Sequence, residues 1–253
     1  MKLKGKSIIL TGAGGGIGKA VALGFAEEGG RLALVDVAEK EILDVEKEIR
    51  ARGGQAVAIK TDVTNEGEVQ EMAGKTLEHF STIDILVNNA AIAGPIMPLE
   101  EVDSDAWRKT VEINLTGQFL CVKAVTPHMK IQGSGRIINV TSILGEKPIP
   151  FTGPYNVTKA GNISFTKTLA QELEKDGIYV TCLMASLTDT PMARDFHAKV
   201  AGYMGETFEE RWRTRGATMP LGRVAFPEDL VPKYLDLAAG EPGTRPGNII
   251  VAP

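Results

Sequence analysis

The sequence predicts an α/β protein in which a doubly wound parallel sheet is covered by helices on both faces. Short apolar runs alternate with longer amphipathic segments, glycines cluster after the first apolar run, and 43% of the 253 residues are apolar. Buried strands that alternate with helices are typical of a parallel sheet, and right-handed crossovers make it doubly wound. Without a linker, a repeat or a low-complexity stretch, residues 1–253 are expected to form a single domain.

The spacing of apolar residues predicts each element in turn. Predicted strands lie at 7–10, 31–36, 56–61, 83–88, 136–141, 178–184 and 248–251. Predicted helices follow the glycine cluster up to Gly29-Gly30 and then lie at 39–52, 66–80, 104–129, 154–175 and 227–239. Pro127 is expected to disturb the last turn of its helix and Pro232 to kink the final helix. Residues 191–220 are mixed and charged, and they are expected to cover the substrate.

Composition excludes several classes of function. The net charge is −4 and Lys and Arg form no run, which argues against a nucleic-acid partner. No window is long and apolar enough for a membrane span, and the apolar run at 7–10 is too short for a signal peptide. We therefore expect a cytoplasmic protein with reduced Cys121 and Cys182. The histidines are far apart, so no metal site is expected.

A glycine-rich loop joins the first strand to the first helix. Gly12, Gly16 and Gly18 have the spacing G-x3-G-x-G. Glycine permits the sharp turn, lets a pyrophosphate approach the backbone, and brings the helix close to the sheet, while the helix N-terminus offers free N–H groups to the phosphates. The pattern predicts a Rossmann-like dinucleotide site that includes Gly12, Gly14, Gly15, Gly16, Ile17 and Gly18.

Asp36 ends the second predicted strand, 18 residues after Gly18. A carboxylate there accepts hydrogen bonds from the ribose hydroxyls of adenosine and repels a 2′-phosphate. Neither Gly15 nor Val37 is replaced by a basic residue that would attract this phosphate. The sequence therefore favours NAD(H) over NADP(H).

Tyr155 and Lys159 are four residues apart in a helical pattern, so they share one face. Ser142 follows the preceding strand at the carboxyl edge of the sheet, where open α/β sheets bind ligands. A neighbouring ammonium stabilises phenolate, so we expect a lowered pKa for Tyr155. Tyr155 is the one tyrosine of the four in this sequence that has a lysine at the fourth position after it.

Over essentially its whole length the chain resembles the classical short-chain dehydrogenase/reductase (SDR) family. The shared motifs are Thr11-Gly12-x3-Gly16-Ile17-Gly18, Asp62-Val63, Asn88-Asn89-Ala90, Asn114, Ser142 and Tyr155-x3-Lys159. The resemblance implies about seven strands in the order 3-2-1-4-5-6-7. It also implies a homo-oligomer, a tetramer or dimer.

The resemblance implies a role for each matched residue. Tyr155 would be the proton acid/base, Ser142 would hold the substrate oxygen, and Lys159 would hold the nicotinamide ribose and tune Tyr155. Asn114 would hold a water that links Lys159 to solvent. Further cofactor contacts are implied for Val37, Asp62, Val63, Asn88, Ala90, Leu187, Thr188 and Thr190.

The chain departs from the family pattern at three places. Ala91 replaces a glycine, from which little effect is expected. Ala185-Ser186 replaces the usual Pro-Gly, and a serine in a glycine conformation would be strained. We therefore expect weaker cofactor binding than in a variant with Ala185→Pro and Ser186→Gly. The end at Val251-Ala252-Pro253 replaces the usual Val-Asp-Gly-Gly, which leaves the tetramer geometry open.

The expected reaction is hydride transfer between NAD(H) and a secondary alcohol or ketone. The predicted substrate contacts are Ser142, Leu144, Ile149, Met192 and Phe196. Their apolar character favours an apolar hydroxy or keto compound, although Glu146, Lys147, Arg194 and His197 are candidates for contact with a polar group. Two alternatives stay open: an NADP(H)-dependent reductase of 3-oxoacyl thioesters, and a non-catalytic NAD-binding protein.

Overall fold

The computed structural model of the protein describes residues 1–241 and 245–252. The strands are β1 (Ser7–Thr11), β2 (Arg31–Asp36), β3 (Gln55–Lys60), β4 (Ile85–Asn88), β5 (Gly135–Ser142), β6 (Ile178–Ala185) and β7 (Ile249–Ala252). They form one seven-stranded sheet in the order β3-β2-β1-β4-β5-β6-β7, with every neighbouring pair parallel. The predicted fold class and strand order are confirmed.

The helices of the described residues cover both faces of this sheet. They are α1 (Gly16–Glu27), α2 (Glu39–Ala51), α3 (Glu66–Phe80), α4 (Ser104–Val111), α5 (Gly117–Gln132), α6 (Gly153–Leu173), α7 (Pro191–Met204), α8 (Phe208–Ala217) and α9 (Pro227–Ala239). Side chains alternate between the two faces along β1: Ile8 and Leu10 pack under α1, α2 and α9, whereas Ile9 packs under α3, α5 and α6. The strands are thus buried on both sides, as their apolar runs predict.

The predicted helix at 104–129 is divided in the structure. A π-helical turn at Glu112–Thr116 separates α4 from α5. A π-turn inserts one extra residue, which the apolar spacing of the sequence does not reveal, and such turns often lie at functional sites. α5 continues past Pro127 to Gln132, and α9 continues past Pro232 to Ala239.

A chain of buried polar side chains connects the central strands to α6. Asn88 of β4 donates to Asn139 of β5 at 2.9 Å, and Asn139 donates to the Thr166 hydroxyl at 3.0 Å. Asn162, one turn earlier in α6, donates to the Asn114 carbonyl at 3.2 Å. Buried polar groups that lose such partners are costly, so the network fixes β4, β5, α6 and the π-turn relative to one another.

Within residues 1–241 and 245–252, no helix has the length and hydropathy needed to cross a bilayer.

Candidate active site

The glycine loop makes the sharp turn between β1 and α1 that its sequence predicts. Gly12 has a φ of +67°, and a Cβ on it would lie 2.9 Å from the Ala90 Cα. A Cβ on Gly18 would overlap the Gly12 carbonyl oxygen, so the helix meets the loop at a distance that other residues do not permit. Gly15, the residue before α1, caps the helix with no side chain, and space is open around its Cα. The first N–H groups of α1 are therefore left for an anion.

Two residues to which the sequence analysis gave no role hold this loop in place. Asn89 donates through its side-chain amide to the carbonyls of Thr11 and Gly12, at 3.1 and 3.2 Å. The Thr11 hydroxyl accepts hydrogen bonds from the backbone N–H groups of Asn89 and Ala90. The loop after β4 thus supports the loop after β1. The sequence signal for this contact was a polar residue at the carboxyl end of each of two strands, Thr11 in β1 and Asn89 just after β4.

Asp36 lies at the end of β2 and faces the glycine loop. Its carboxylate accepts hydrogen bonds from the Gly14 N–H at 3.0 Å and from the Ala38 N–H at 3.1 Å. Val37 beside it is 59% exposed. Among the described residues, Asp36 forms no ion pair, so its charge remains available to a polar ligand or to repel an anion.

Asp62 and Val63 follow β3. Asp62 is exposed, and its carboxylate accepts hydrogen bonds from the backbone N–H and the hydroxyl of Thr64. Val63 is buried and packs so closely on α5 that a Cβ on Gly117 would approach it to 2.7 Å. Both residues lie near the same carboxyl edge of the sheet as Asp36.

Ser142, Tyr155 and Lys159 come together where β5 meets α6. Lys159 is 2% exposed. Its ammonium donates a hydrogen bond to the Val140 carbonyl at 3.0 Å and lies 5.5 Å from the centre of the Tyr155 ring. The Thr141 hydroxyl donates to the Lys159 carbonyl at 2.7 Å. Ser142 and Tyr155 line one cavity, with Lys159 behind the tyrosine.

Burial is the main influence on the pKa values of Tyr155 and Lys159. It raises the pKa of Tyr155 to about 12, and the interaction with Ser142 opposes the rise. Burial also lowers the pKa of Lys159 to about 8. The expectation of a lowered pKa for Tyr155 is therefore wrong: the ammonium is hydrogen-bonded to a backbone carbonyl, and desolvation of the phenol dominates. At neutral pH the tyrosine is a phenol and thus a proton donor.

Asn114 is buried in the π-turn and directs its side chain at the loop after β4. Its amide forms a reciprocal pair with the backbone of Ile92, with Oδ1 accepting at 2.8 Å and Nδ2 donating at 2.9 Å. Nδ2 also lies 3.2 Å from the Thr158 hydroxyl, next to Lys159 in α6. The turn therefore connects the loop after β4 to the helix that carries Tyr155. Asn88, in the buried network, lies one strand away from Ser142.

A cavity that is open to solvent lies beside Ser142 and Tyr155. Of the predicted substrate contacts, Leu144, Met192 and Phe196 also line it. Ile149 does not: it packs in the small apolar cluster with Phe196, and its carbonyl accepts from Thr152 and Asn156. Ala185 and Ser186, singled out from the sequence for their effect on the cofactor, line it as well. So do Ala193, Arg215 and Met219, for which the sequence suggested no role.

The segment after β6 connects this cavity to the glycine loop. Leu187, Thr188 and Thr190 all line the cavity. Thr190 caps α7 by accepting from the Ala193 N–H at 3.1 Å, and its methyl group lies 3.2 Å from where a Cβ on Gly16 would stand. The cavity and the loop thus form one continuous cleft.

Ser186 does not have the strained conformation that was expected. The non-glycine residues with positive φ in the described chain are Ser81 and Phe151, so the backbone at 186 suits a serine. Gly is needed at such a position only where φ is positive. The hydroxyl of Ser186 is instead buried with no hydrogen-bond partner among the described residues. The strain prediction is wrong, and the comparison with the Ala185→Pro/Ser186→Gly variant stays a prediction without that reason.

Residues 191–220, expected to be mixed, contain the two helices α7 and α8. An aromatic cluster joins them: the rings of His197 and Trp212 are 5.8 Å apart, and those of Phe208 and Trp212 are 5.2 Å apart. Phe196 contacts Tyr155 edge to face at 5.7 Å. α7 therefore forms a wall of the cavity directly against the tyrosine. Arg194 pairs with Asp189 at its exposed end.

Comparison with known proteins agrees with this architecture. The family model for short-chain dehydrogenases matches residues 6–201. The chain is 37% identical over 231 residues to cis-4-hydroxycyclohexanecarboxylate dehydrogenase of Sinomonas cyclohexanicum, covering 91% of this chain and 88% of the relative. It is 41% identical over 192 residues to a 3-oxoacyl-[acyl-carrier-protein] reductase of Synechocystis sp., covering 76% and 77%.

Solved structures show the same relationship. The crystal structure of NAD+-bound xylitol dehydrogenase superimposes with a TM-score of 0.94 at 29% identity, covering 99% of this chain and 98% of the other. The fold and cleft are those of a nicotinamide-dinucleotide oxidoreductase. The chain belongs to the short-chain dehydrogenase family.

His197 generates a prediction about stability. Burial, together with Arg211 and Arg215, lowers its pKa to about 4. Between pH 6.5 and 4 the unfolded chain then binds more protons at this residue than the folded chain, so folding stability falls as the pH falls. We expect His197→Gln to remove about 3 kcal/mol of this loss, measured as the free energy of unfolding in urea at several pH values. His79→Gln, at an exposed histidine, is the matched control; parallel curves for wild type and His197→Gln would contradict the prediction.

Proposed function

We propose that the protein transfers a hydride between NAD(H) and a secondary alcohol or ketone, with Tyr155 as the proton acid/base. The observation that carries the proposal is the convergence of Ser142 and Tyr155 on one cavity that is continuous with the glycine loop. The Tyr155 ring is half-buried against the small apolar cluster around Phe196, and the same residue lines the open cavity. This position suits proton exchange with a bound ligand. The relatives named above act on hydroxy or oxo groups according to their names, which supports the same reaction type.

The residues of the cleft fit a dinucleotide. The loop at Gly12 to Gly16 leaves backbone N–H groups and open space at the start of α1, which suits a pyrophosphate. Asp36 would accept from ribose hydroxyls, with Val37, Asp62 and Val63 on the adenine side. At the other end, Thr188, Thr190 and Lys159 would face the nicotinamide half.

In the proposed mechanism the bound nicotinamide supplies the hydride acceptor or donor. Ser142 donates a hydrogen bond to the substrate oxygen and holds it at Tyr155. In reduction, the Tyr155 phenol gives its proton to this oxygen; in oxidation, the phenolate takes the proton from the alcohol. Lys159 holds positive charge behind the ring and so favours the phenolate when it forms. α7 and α8, the segment at 191–220, would exclude water from this step.

A second candidate is an NADP(H)-dependent reduction of 3-oxoacyl thioesters. The 41% identity to a 3-oxoacyl-[acyl-carrier-protein] reductase favours it, whereas the unpaired carboxylate of Asp36 opposes a 2′-phosphate. A non-catalytic NAD-binding role is the third reading, and the assembled Ser142–Tyr155–Lys159 group argues against it. A panel of cyclohexanol, 4-hydroxycyclohexanecarboxylate, xylitol and an acetoacetyl thioester, each with NAD(H) and with NADP(H), separates the three.

Assembly and location stay predictions. We propose a homo-oligomer, a tetramer or dimer, which is consistent with the exposed apolar side chains of Phe119, Ile131 and Val157. Light scattering after size-exclusion chromatography measures the state directly. A cytoplasmic location, and the expected lack of nucleic-acid, membrane and metal partners, rest on composition.

Tyr155→Phe removes the proposed proton donor and keeps the ring. We expect turnover to fall by about 10²–10⁴-fold, the usual worth of a general acid or base, while the dissociation constant for NADH changes little. Tyr179→Phe is the matched control, because Tyr179 lies at the start of β6, away from the cavity, where it contacts Arg136. Turnover that survives Tyr155→Phe undiminished would defeat the mechanism.

Asp36→Asn removes a charge and keeps an oxygen that accepts from the Gly14 N–H. We expect the wild-type protein to have a higher kcat/KM with NAD than with NADP, and the variant to gain at least about tenfold with NADP, since like charges in contact cost several kcal/mol. Glu39→Gln, at an exposed residue of α2, controls for a general change in surface charge. A wild-type preference for NADP would overturn the cofactor assignment.

A further inference from the structure

Two arginines lie one turn apart on the inner side of α8, close to the cavity. Arg211 is 5% exposed, and its Nε donates to Nδ1 of His197 at 3.3 Å. Its Nη1 lies 3.6 Å from the Glu206 carboxylate. Arg215 is half-buried and lines the same cavity as Ser142 and Tyr155.

The charge of this group is not balanced. Glu206 compensates one arginine, and within the described chain Arg215 forms no ion pair of its own. His197 is neutral at pH 7, because burial and both arginines hold its pKa near 4. One positive charge therefore stays uncompensated beside a cavity whose other walls are mostly apolar.

Arg215 is also exceptional among the lining residues. Of the described side chains that line the cavity, its guanidinium alone carries a permanent charge. A charge that is partly removed from water without a partner is unfavourable, and a bound carboxylate would relieve the cost through two parallel N–H···O bonds. Arginine suits this better than lysine, because its planar fork matches a carboxylate.

We propose that Arg215 forms an anion subsite of the substrate cavity, so that the substrate is a hydroxy or oxo acid. The carboxylate binds at Arg215, and the reacting carbon lies at Ser142 and Tyr155. This deepens the proposed function, on which the position of the reacting carbon rests. A substrate whose two ends are both fixed reacts in one orientation, which gives the site its specificity.

The test measures binding without turnover. Cyclohexanecarboxylate and its methyl ester have the same ring, have no hydroxyl to oxidise, and differ in charge. By calorimetry in the presence of NADH, we expect the acid to bind wild type at least about tenfold more tightly than the ester does. Arg215→Gln should abolish this difference, whereas Arg213→Gln, at an exposed arginine two residues earlier on the same helix, should retain it. Arg215→Lys, which keeps the charge, should retain part of it.

The outcomes separate the subsite from the proposed reaction. Equal binding of acid and ester to wild type, or an unchanged preference in Arg215→Gln, overturns the subsite even when alcohols are oxidised. A preference for the acid that depends on Arg215 supports the subsite even when no alcohol in the panel is oxidised. With turnover, Arg215→Gln should raise KM for 4-hydroxycyclohexanecarboxylate about tenfold more than it raises KM for cyclohexanol. Thermal unfolding of each variant verifies that it folds. If Arg215→Gln does not fold, the acid–ester comparison on the wild-type protein and on Arg215→Lys tests the anion subsite.

Discussion

The hydrogen bond from the Lys159 ammonium to the Val140 carbonyl is the constraint on which the site depends. It places a cation in the interior with no carboxylate partner among the described residues, so the side chain has little freedom to lie elsewhere. The backbone of the same residue is fixed by Thr141, and Gly145 lets that backbone approach to a distance at which a Cβ would be 2.8 Å away. β5 and α6 are thereby locked together at one residue. These contacts between β5 and α6 set the positions of Tyr155, one turn earlier in α6, and of Ser142, at the end of β5.

The buried amide network extends the same constraint across the sheet. Asn139 connects β4 to α6, and Asn162 connects α6 to the π-turn that holds Asn114. Asn114 accepts a hydrogen bond from the backbone N–H of Ile92 in the loop after β4. In the same loop, Asn89 donates to the Gly12 carbonyl of the glycine loop. A continuous series of polar contacts thus runs from α6 to the glycine loop. Because a broken member of such a network leaves its neighbours unpaired, the two halves of the cleft are held as one structure.

The sequence predicted the features that depend on local spacing. Alternation of apolar runs defined the strands, and the glycine spacing located the turn at Gly12 to Gly18. The π-turn at Glu112–Thr116 was missed because one inserted residue barely changes a 3.6-residue pattern over so short a stretch. α7 and α8 were missed as helices because their charged residues hide a narrow apolar face. Features set by tertiary contact were not available from the sequence: the backbone angle at Ser186, the partner of Lys159, and the unpaired charge of Arg215.

The spacing of residues in the sequence does not determine the pKa values of Tyr155 and Lys159. The Tyr155-x3-Lys159 pattern places an ammonium near a phenol, but burial and the Val140 carbonyl determine what that proximity does. A ¹³C NMR titration of labelled lysines, with the Lys159 signal assigned from Lys159→Met, measures the central quantity directly. A buried ammonium held by a carbonyl alone should titrate with a pKa of about 8. A pKa at the ordinary value of 10.5 would show a solvated or ion-paired lysine and contradict the anchor on which the arrangement of Ser142 and Tyr155 depends.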